Sequence, residues 1–145
     1  NKHLNPDYIQ KTVATFRDVF VANPDSFKFT SDEVSFEELK ANPLMMLSRQ
    51  STTSEFLHQL FIQHQLELVP DIELNSNDLL IDLARIGLGI AFVPDYCVHD
   101  SDEDLFNKKK KEKLPLRQMV ASVNTAFPIS ASTEEFLKLL PKVEI

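Results

Sequence analysis

Both glycines of the 145-residue chain, Gly87 and Gly89, fall in one stretch, ARIGLGIAFVPDYCV (84–98), on either side of Leu88. A globular chain of average composition carries several times as many. Just before them, DLLIDLARI (78–86) spaces its apolar residues as a helix does. Gly87 follows the last of these, where a helix commonly ends in a left-handed residue, a conformation that costs glycine almost nothing. LGIAFV (88–93) is an apolar run that reads as a buried strand. Within it Gly89 leaves room for a helix or a ligand to pack against the backbone. Pro94 cannot donate to a sheet ladder, so the strand is expected to end there.

The same alternation runs upstream and downstream. TFRDVFVAN (15–23) reads as a strand stopped by Asn23-Pro24. SFEELKA (35–41) is a short helix with Ser35 and Glu38 at capping-box spacing. LMML (44–47) is a wholly apolar strand, and STTSEFLHQLFIQHQ (51–65) the clearest helix, with Thr52 and Glu55 as its capping box. DIEL (71–74), RQMVASVN (117–124) and STEEFLKLL (132–140) add two strands and a closing helix that starts on Ser132 and Glu135. Between them HDSDEDLFNKKKKEKLP is a charged, weakly structured segment. Alternating strands and helices imply an α/β layer with a mainly parallel sheet flanked by helices.

Composition removes several function classes. With 43% hydrophobic residues and eleven Phe the chain can build a core, yet no apolar run approaches a membrane span. NKHLNPDYIQ lacks the apolar stretch of a signal peptide. The single Cys97 excludes an intrachain disulfide and a cysteine zinc cluster. It has no His or Asn partner in a nucleophile motif, and reads as a small buried hydrophobe. A formal charge of -7 argues against nucleic-acid binding by this chain itself. DSDED (100–104) spaces its acids like a calcium loop, but Leu105 stands where the turn needs Gly and Lys111 where the bidentate Glu belongs. His58 and His64 are spaced so that one helix does not bring both to one metal. Lys108–Lys111 read as a solvated run balanced by the preceding acids. No catalytic constellation, cofactor motif or metal set emerges, so the chain is expected not to be an enzyme.

Four stretches in order, RDVFVANPDSF, VSFEELKANPLMMLSRQSTTSEFLHQLF, IELNSNDLLIDLARIGLGIAFVP and LPLRQMVASVNTAFPISASTEEFLKLL, resemble the effector-binding domain of LysR-type transcriptional regulators. That resemblance implies a fold like a type 2 periplasmic binding protein, with two α/β lobes and a ligand between them. It further implies a whole second subdomain over 21–117, with 1–20 and 118–145 as parts of the first. It points to a cytoplasmic homodimer or homotetramer that meets DNA only through a winged helix-turn-helix lying outside these residues, and to no membrane association.

In an open α/β sheet, ligands bind beyond the carboxyl ends of the strands. LMML leads into Ser48-Arg49-Gln50-Ser51-Thr52-Thr53, DIEL into Asn75-Ser76-Asn77, and LGIAFV into Pro94. Two of these segments also open helices, whose dipoles favour an anion, and Arg49 adds a planar cation suited to a carboxylate or sulfate. The expected ligand set is therefore Arg49, Gln50, Ser51, Thr52, Thr53, Asn75, Ser76, Asn77, Phe92 and Pro94, around a small anionic effector. Against this, capping is the commonest role of Thr and Asn before a helix, and a residue such as Phe92 is more often core than pocket wall. Phe56, Leu57, Leu60, Phe61 and Leu66 form a stripe wide enough to serve both a core and a subunit interface. A ligand-sensing regulator domain is the leading function. A solute-binding receptor of the periplasmic-binding-protein type is the alternative.

Overall fold

Strands whose consecutive residues are all apolar belong in a sheet covered on both faces. Three strands, apolar throughout but for the Asp18 that opens the first, build the sheet of the larger unit: β2 (Asp18–Ala22), β3 (Leu44–Leu47) and β5 (Ile90–Pro94). Side chains alternate across a strand, and here both alternations are buried. Phe20, Ala22, Leu44, Met46, Ile90 and Phe92 join one apolar cluster, while Val21, Met45, Ala91 and Val93 join another. The computed structural model describes residues 8–29, 33–99, 102, 106–107, 114–141 and 143. It adds the edge strands β4 (Ile72–Leu74) and β6 (Phe106–Asn107), in the order β4-β3-β5-β2-β6. β3 lies parallel to β4 and β5, and β2 is antiparallel to both β5 and β6. Four of the five strands thus run one way, as the alternating pattern predicts.

Helices cover both faces. α1 (Phe36–Lys40) and α2 (Thr52–Gln63) bring Phe36, Leu39, Leu57, Leu60 and Phe61 to the first cluster. α3 (Asn77–Arg85) brings Leu80, Ile81 and Ala84 to the second. The cap of α1 is Ser35, as its spacing predicts. The cap of α2 is Ser51, which accepts from the Ser54 N–H at 3.1 Å, and not Thr52. In the run Ser-Thr-Thr-Ser every side chain is a hydroxyl, so the Glu three residues on does not single out the cap.

Gly87 ends α3 as expected, with φ at +83°. Its N–H donates to Ala84 O at 3.0 Å and the N–H of Leu88 to Leu83 O at 3.1 Å, the paired bonds of a Schellman motif. A Cβ at this position would also collide with the side chain of Ser26. Gly87→Ala is expected to cost about 1–2 kcal/mol from the left-handed backbone alone, and more from the collision. A urea midpoint within error of wild type would contradict this. Gly89 serves a close approach too, but the neighbour is neither helix nor ligand. A Cβ there would stand 2.9 Å from Met45 Cγ on the adjoining strand β3 and 3.0 Å from Pro43 O just before it.

The single strand expected over 15–23 is two strands. β1 (Tyr8–Phe16) ends at Phe16, Arg17 intervenes, and β2 follows. The break divides two units, Arg17–Pro115 and the joined ends Asn1–Phe16 with Leu116–Ile145. In the second unit β1 pairs antiparallel with β7 (Arg117–Asn124), with an irregularity between Thr12 and Ala14. There α4 (Ala131–Leu139) is capped by Ser130 rather than Ser132. Lys11 Nζ donates to Leu140 O at 2.8 Å and Leu137 O at 3.3 Å, supplying donors to the carbonyls that end α4.

Much of the charged segment, Lys108–Lys111 included, lies outside the described residues. Asp102, expected in a loose loop, is buried. It pairs with Arg85 at the end of α3 and accepts the His99 N–H at 2.9 Å. That backbone N–H, helped by the Arg85 guanidinium, holds its carboxyl below the usual carboxylate range against the effect of burial.

Candidate functional site

Register decides what meets at the carboxyl edge of the parallel strands. Leu47, the last residue of β3, is level with Leu74, the last of β4. The Ser48 N–H donates to Leu74 O at 2.8 Å. The chain then turns, with the Ser51 N–H bonded to Ser48 O at 2.9 Å, and enters α2 at once. After β4, Asn75 and Ser76 lead into α3, where Ser76 Oγ accepts the Leu79 N–H at 3.2 Å. Two helix starts therefore stand side by side beyond adjacent strands. β5 reaches the same edge with Pro94, which is level with Asp18 of β2. Arg49–Thr53, Asn75–Asn77 and Pro94 are thus brought to one edge. Within that set Thr53 and Pro94 are buried, while Arg49, Gln50, Thr52, Asn75 and Ser76 are exposed.

Phe92 is not at this edge. It is 1% exposed and packs on Phe20 with ring centroids 4.8 Å apart, in the cluster that α2 covers. It points into the core because strand alternation sends it there, between Ala91 and Val93 on the opposite face.

The edge carries groups that the sequence reading missed. Asp18 is 2% exposed at the head of β2; the available signal was a lone acid opening an apolar run, DVFVA. Cys97, in the short 3-10 turn Asp95–Cys97 after β5, is half-buried. Its thiol is pushed up, first by burial and then by the charge of Asp78, with Asp18 and Asp95 adding to the effect. The Asn77 side chain, hydrogen-bonded to the thiol, pulls the other way. A thiol so surrounded is a poor nucleophile, in line with a packing role. Asn77 is therefore more than part of a cap. Its Oδ1 is buried and accepts no hydrogen bond among the described residues. Asp18, Asp78 and Asp95 thus gather carboxylates around Cys97.

α2 turns its apolar stripe inward. Leu57, Leu60 and Phe61 are buried in the core, and Phe56 and Leu66 pack against it. The stripe that was expected to serve a core and an interface is core. The opposite side of the helix borders a groove of about 680 Å³ whose lining includes Arg49, His58, Ile62, Leu66, Val69 and Glu73. Ile62 is 61% exposed there. His58 Nδ1 lies 2.8 Å from Ser54 O. A carbonyl only accepts, so Nδ1 carries the proton. Among the described residues no group of three His, Cys, Asp or Glu could hold a metal ion, and no helix is long and apolar enough to cross a membrane.

Comparison with known proteins gives a consistent relationship. The family model described as LysR substrate binding domain matches residues 2–143. Among solved structures, the regulatory domain of CcmR from Synechocystis PCC6803, in complex with 2-PG, superposes with a TM-score of 0.80 at 19% identity, covering 92% of this chain and 65% of that one. The effector binding domain of QuiR in complex with shikimate gives 0.78 at 14% identity, covering 92% and 64%. The apo regulatory domain of HypT from Salmonella typhimurium gives 0.74 at 19% identity, covering 94% and 65%. The chain therefore spans about two thirds of these domains. No curated protein sequence matches it.

Proposed function

Because the chain belongs to the LysR substrate binding domain family, which matches residues 2–143, we propose that it is the effector-sensing part of a LysR-type transcriptional regulator. A small anionic molecule binds at the carboxyl edge of its parallel strands. The observation that carries this reading is the pair of helix starts set side by side by the register of Leu47 with Leu74. An anion there meets two helix dipoles at their positive ends. Arg49 supplies the full charge, Gln50–Thr53 and Asn75–Asn77 the polar contacts, and Pro94 the end of the third strand. Phe92 has no free surface for a ligand, and its part is to hold β5 in the core.

The role is binding, and the signal is a population shift: the effector favours one arrangement of the regulator over another. DNA contact belongs to a winged helix-turn-helix elsewhere in the polypeptide, since a chain of net charge -7 is ill suited to it. The regulator assembles as a homodimer or homotetramer in the cytoplasm. The groove beside α2, with Ile62 exposed in it, offers a surface for such pairing.

Ligand binding stabilises the folded state by mass action, by about 2.7 kcal/mol at a hundredfold excess over Kd. For a domain of this size that raises Tm by roughly 5–10 °C. A panel of small carboxylates and phosphates, starting with 2-PG and shikimate, should contain at least one compound that does this. Stabilisation by neutral or cationic metabolites alone would overturn the anionic reading.

A further inference from the structure

We infer that Arg17 is a positioning residue for the regulatory response. It fastens together the two passages by which the chain goes from one of its units to the other, and it holds both to the end of β5. A change at the strand edge then reaches both passages at once. The inference adds a route for the response to the effector reading, and its test needs no effector.

The chain passes between its units twice, at Phe16-Arg17 and at Pro115-Leu116. Units joined by separate lengths of chain can turn wherever a few residues absorb a change in φ and ψ. Arg17 is the one residue between β1 and β2, and both its main chain and its side chain are held. The ladder of β2 with β5 reaches Asp18, level with Pro94. One residue further, Arg17 O accepts the Asp95 N–H at 2.8 Å. That bond carries the ladder onto the turn that follows β5.

The side chain reaches the other passage. Arg17 Nη1 donates to Leu114 O at 2.6 Å, one residue before Pro115. Leu114 is buried in the cluster of Phe20 and Phe92, so the accepting carbonyl has a fixed place in the larger unit. A charged donor on a carbonyl makes a stronger bond than two neutral partners do. In the smaller unit Phe16 pairs with Arg117, and the Arg117 guanidinium lies 4.9 Å from the centroid of the Phe16 ring. The two passages are therefore held side by side at both of their ends, by contacts that each unit makes within itself.

A bond placed only for stability would serve anywhere in the larger unit. This one sits on the residue that adjoins the proposed ligand edge through Asp95 and Pro94, and it spans both passages. A ligand that moves Asp95 moves the Arg17 peptide, and through the guanidinium it moves the return passage as well. Without the guanidinium the passages move separately, and defined arrangements of the regulator give way to a spread.

Spin labels on Glu55→Cys of α2 and Glu134→Cys of α4, both exposed positions, test this by pulsed dipolar spectroscopy. The protein is the ligand-free intact regulatory domain with Cys97→Ser, diluted with unlabelled copies. Arg17→Met keeps the length of the side chain and removes its donors. It should broaden the distribution of label distances, with Tm lower by roughly 5–10 °C. Arg17→Lys can still donate to Leu114 O and should keep the distribution narrow. A distribution as narrow in Arg17→Met as in the wild type overturns the inference, whatever the change in Tm. So does equal broadening by Arg17→Lys. Should Arg17→Met not fold, the wild type decides. Its Arg17 Nη protons should report hindered rotation of the guanidinium by nuclear magnetic resonance, and free rotation overturns the inference.

Discussion

Phe92→Ala should remove about 3–5 kcal/mol of stability, a large part of the 5–15 kcal/mol that holds a typical domain together. The ring is 1% exposed and tilted against Phe20 at 49°, with Leu57 and Phe61 of α2 in the same cluster. It lies in the cluster to which both α1 and α2 contribute. Alanine leaves a cavity that strands β3 and β2 on either side cannot close without giving up their own hydrogen bonds. Urea denaturation reads the loss as a fall in the midpoint. The folded fraction should keep its affinity for the effector, because the side chain has no surface at the strand edge. A variant of normal stability that binds effector poorly would return Phe92 to the pocket.

Arg49→Ala should have the opposite signature. Arg49 is exposed, so its removal leaves no cavity and no buried partner, and stability should change by less than about 0.5 kcal/mol. In the proposed site it makes a charge-assisted contact only with the ligand bound, so its loss should cost about 1.5–3 kcal/mol, or roughly 10- to 150-fold in Kd. The side chain lines the groove beside α2 together with His58 and Glu73, at the corner where that groove adjoins the strand edge. Arg49→Lys keeps the charge and loses the planar fork, so it should recover only part of the affinity. Calorimetric titration of the intact regulatory domain checks both variants. Unchanged affinity in Arg49→Ala would remove this residue from the site.

The fold was legible where one residue type has one physical use. Gly87 after the last apolar residue of a helix predicts a left-handed stop, and its φ is +83°. The run LMML predicts a strand buried on both sides, and Met45 and Met46 go to opposite clusters. Legibility failed where several residues can do the same job. Ser51 and Thr52 can each cap α2, and only the backbone path selects Ser51. β1 escaped because YIQKTVATF mixes polar and apolar residues on a ribbon that is half exposed. The break at Arg17 escaped because nothing in TFRDVFVAN marks an interruption. Its physical reason is tertiary: Arg17 O accepts the Asp95 N–H at 2.8 Å, and Arg17 Nη1 donates to Leu114 O at 2.6 Å.

The candidate site was legible in its edge and not in its charge balance. Strand ends followed by Ser, Thr and Asn predict which segments meet. They do not reveal that the antiparallel strand β2 delivers Asp18 to the level of Pro94, or that Asn77 meets Cys97. Both depend on long-range pairing. These groups bring the carboxylates of Asp18, Asp78 and Asp95 close to the Cys97 thiol.

Amide chemical shifts of the intact regulatory domain, followed during titration with the anion that stabilises it, address the central claim most directly. The account predicts saturable shifts at residues 49–53 and 75–77, with Kd equal to the calorimetric value, and little change along β7 and α4. Saturable shifts confined to the groove around Ile62 and Val69, with the two helix starts silent, would contradict it.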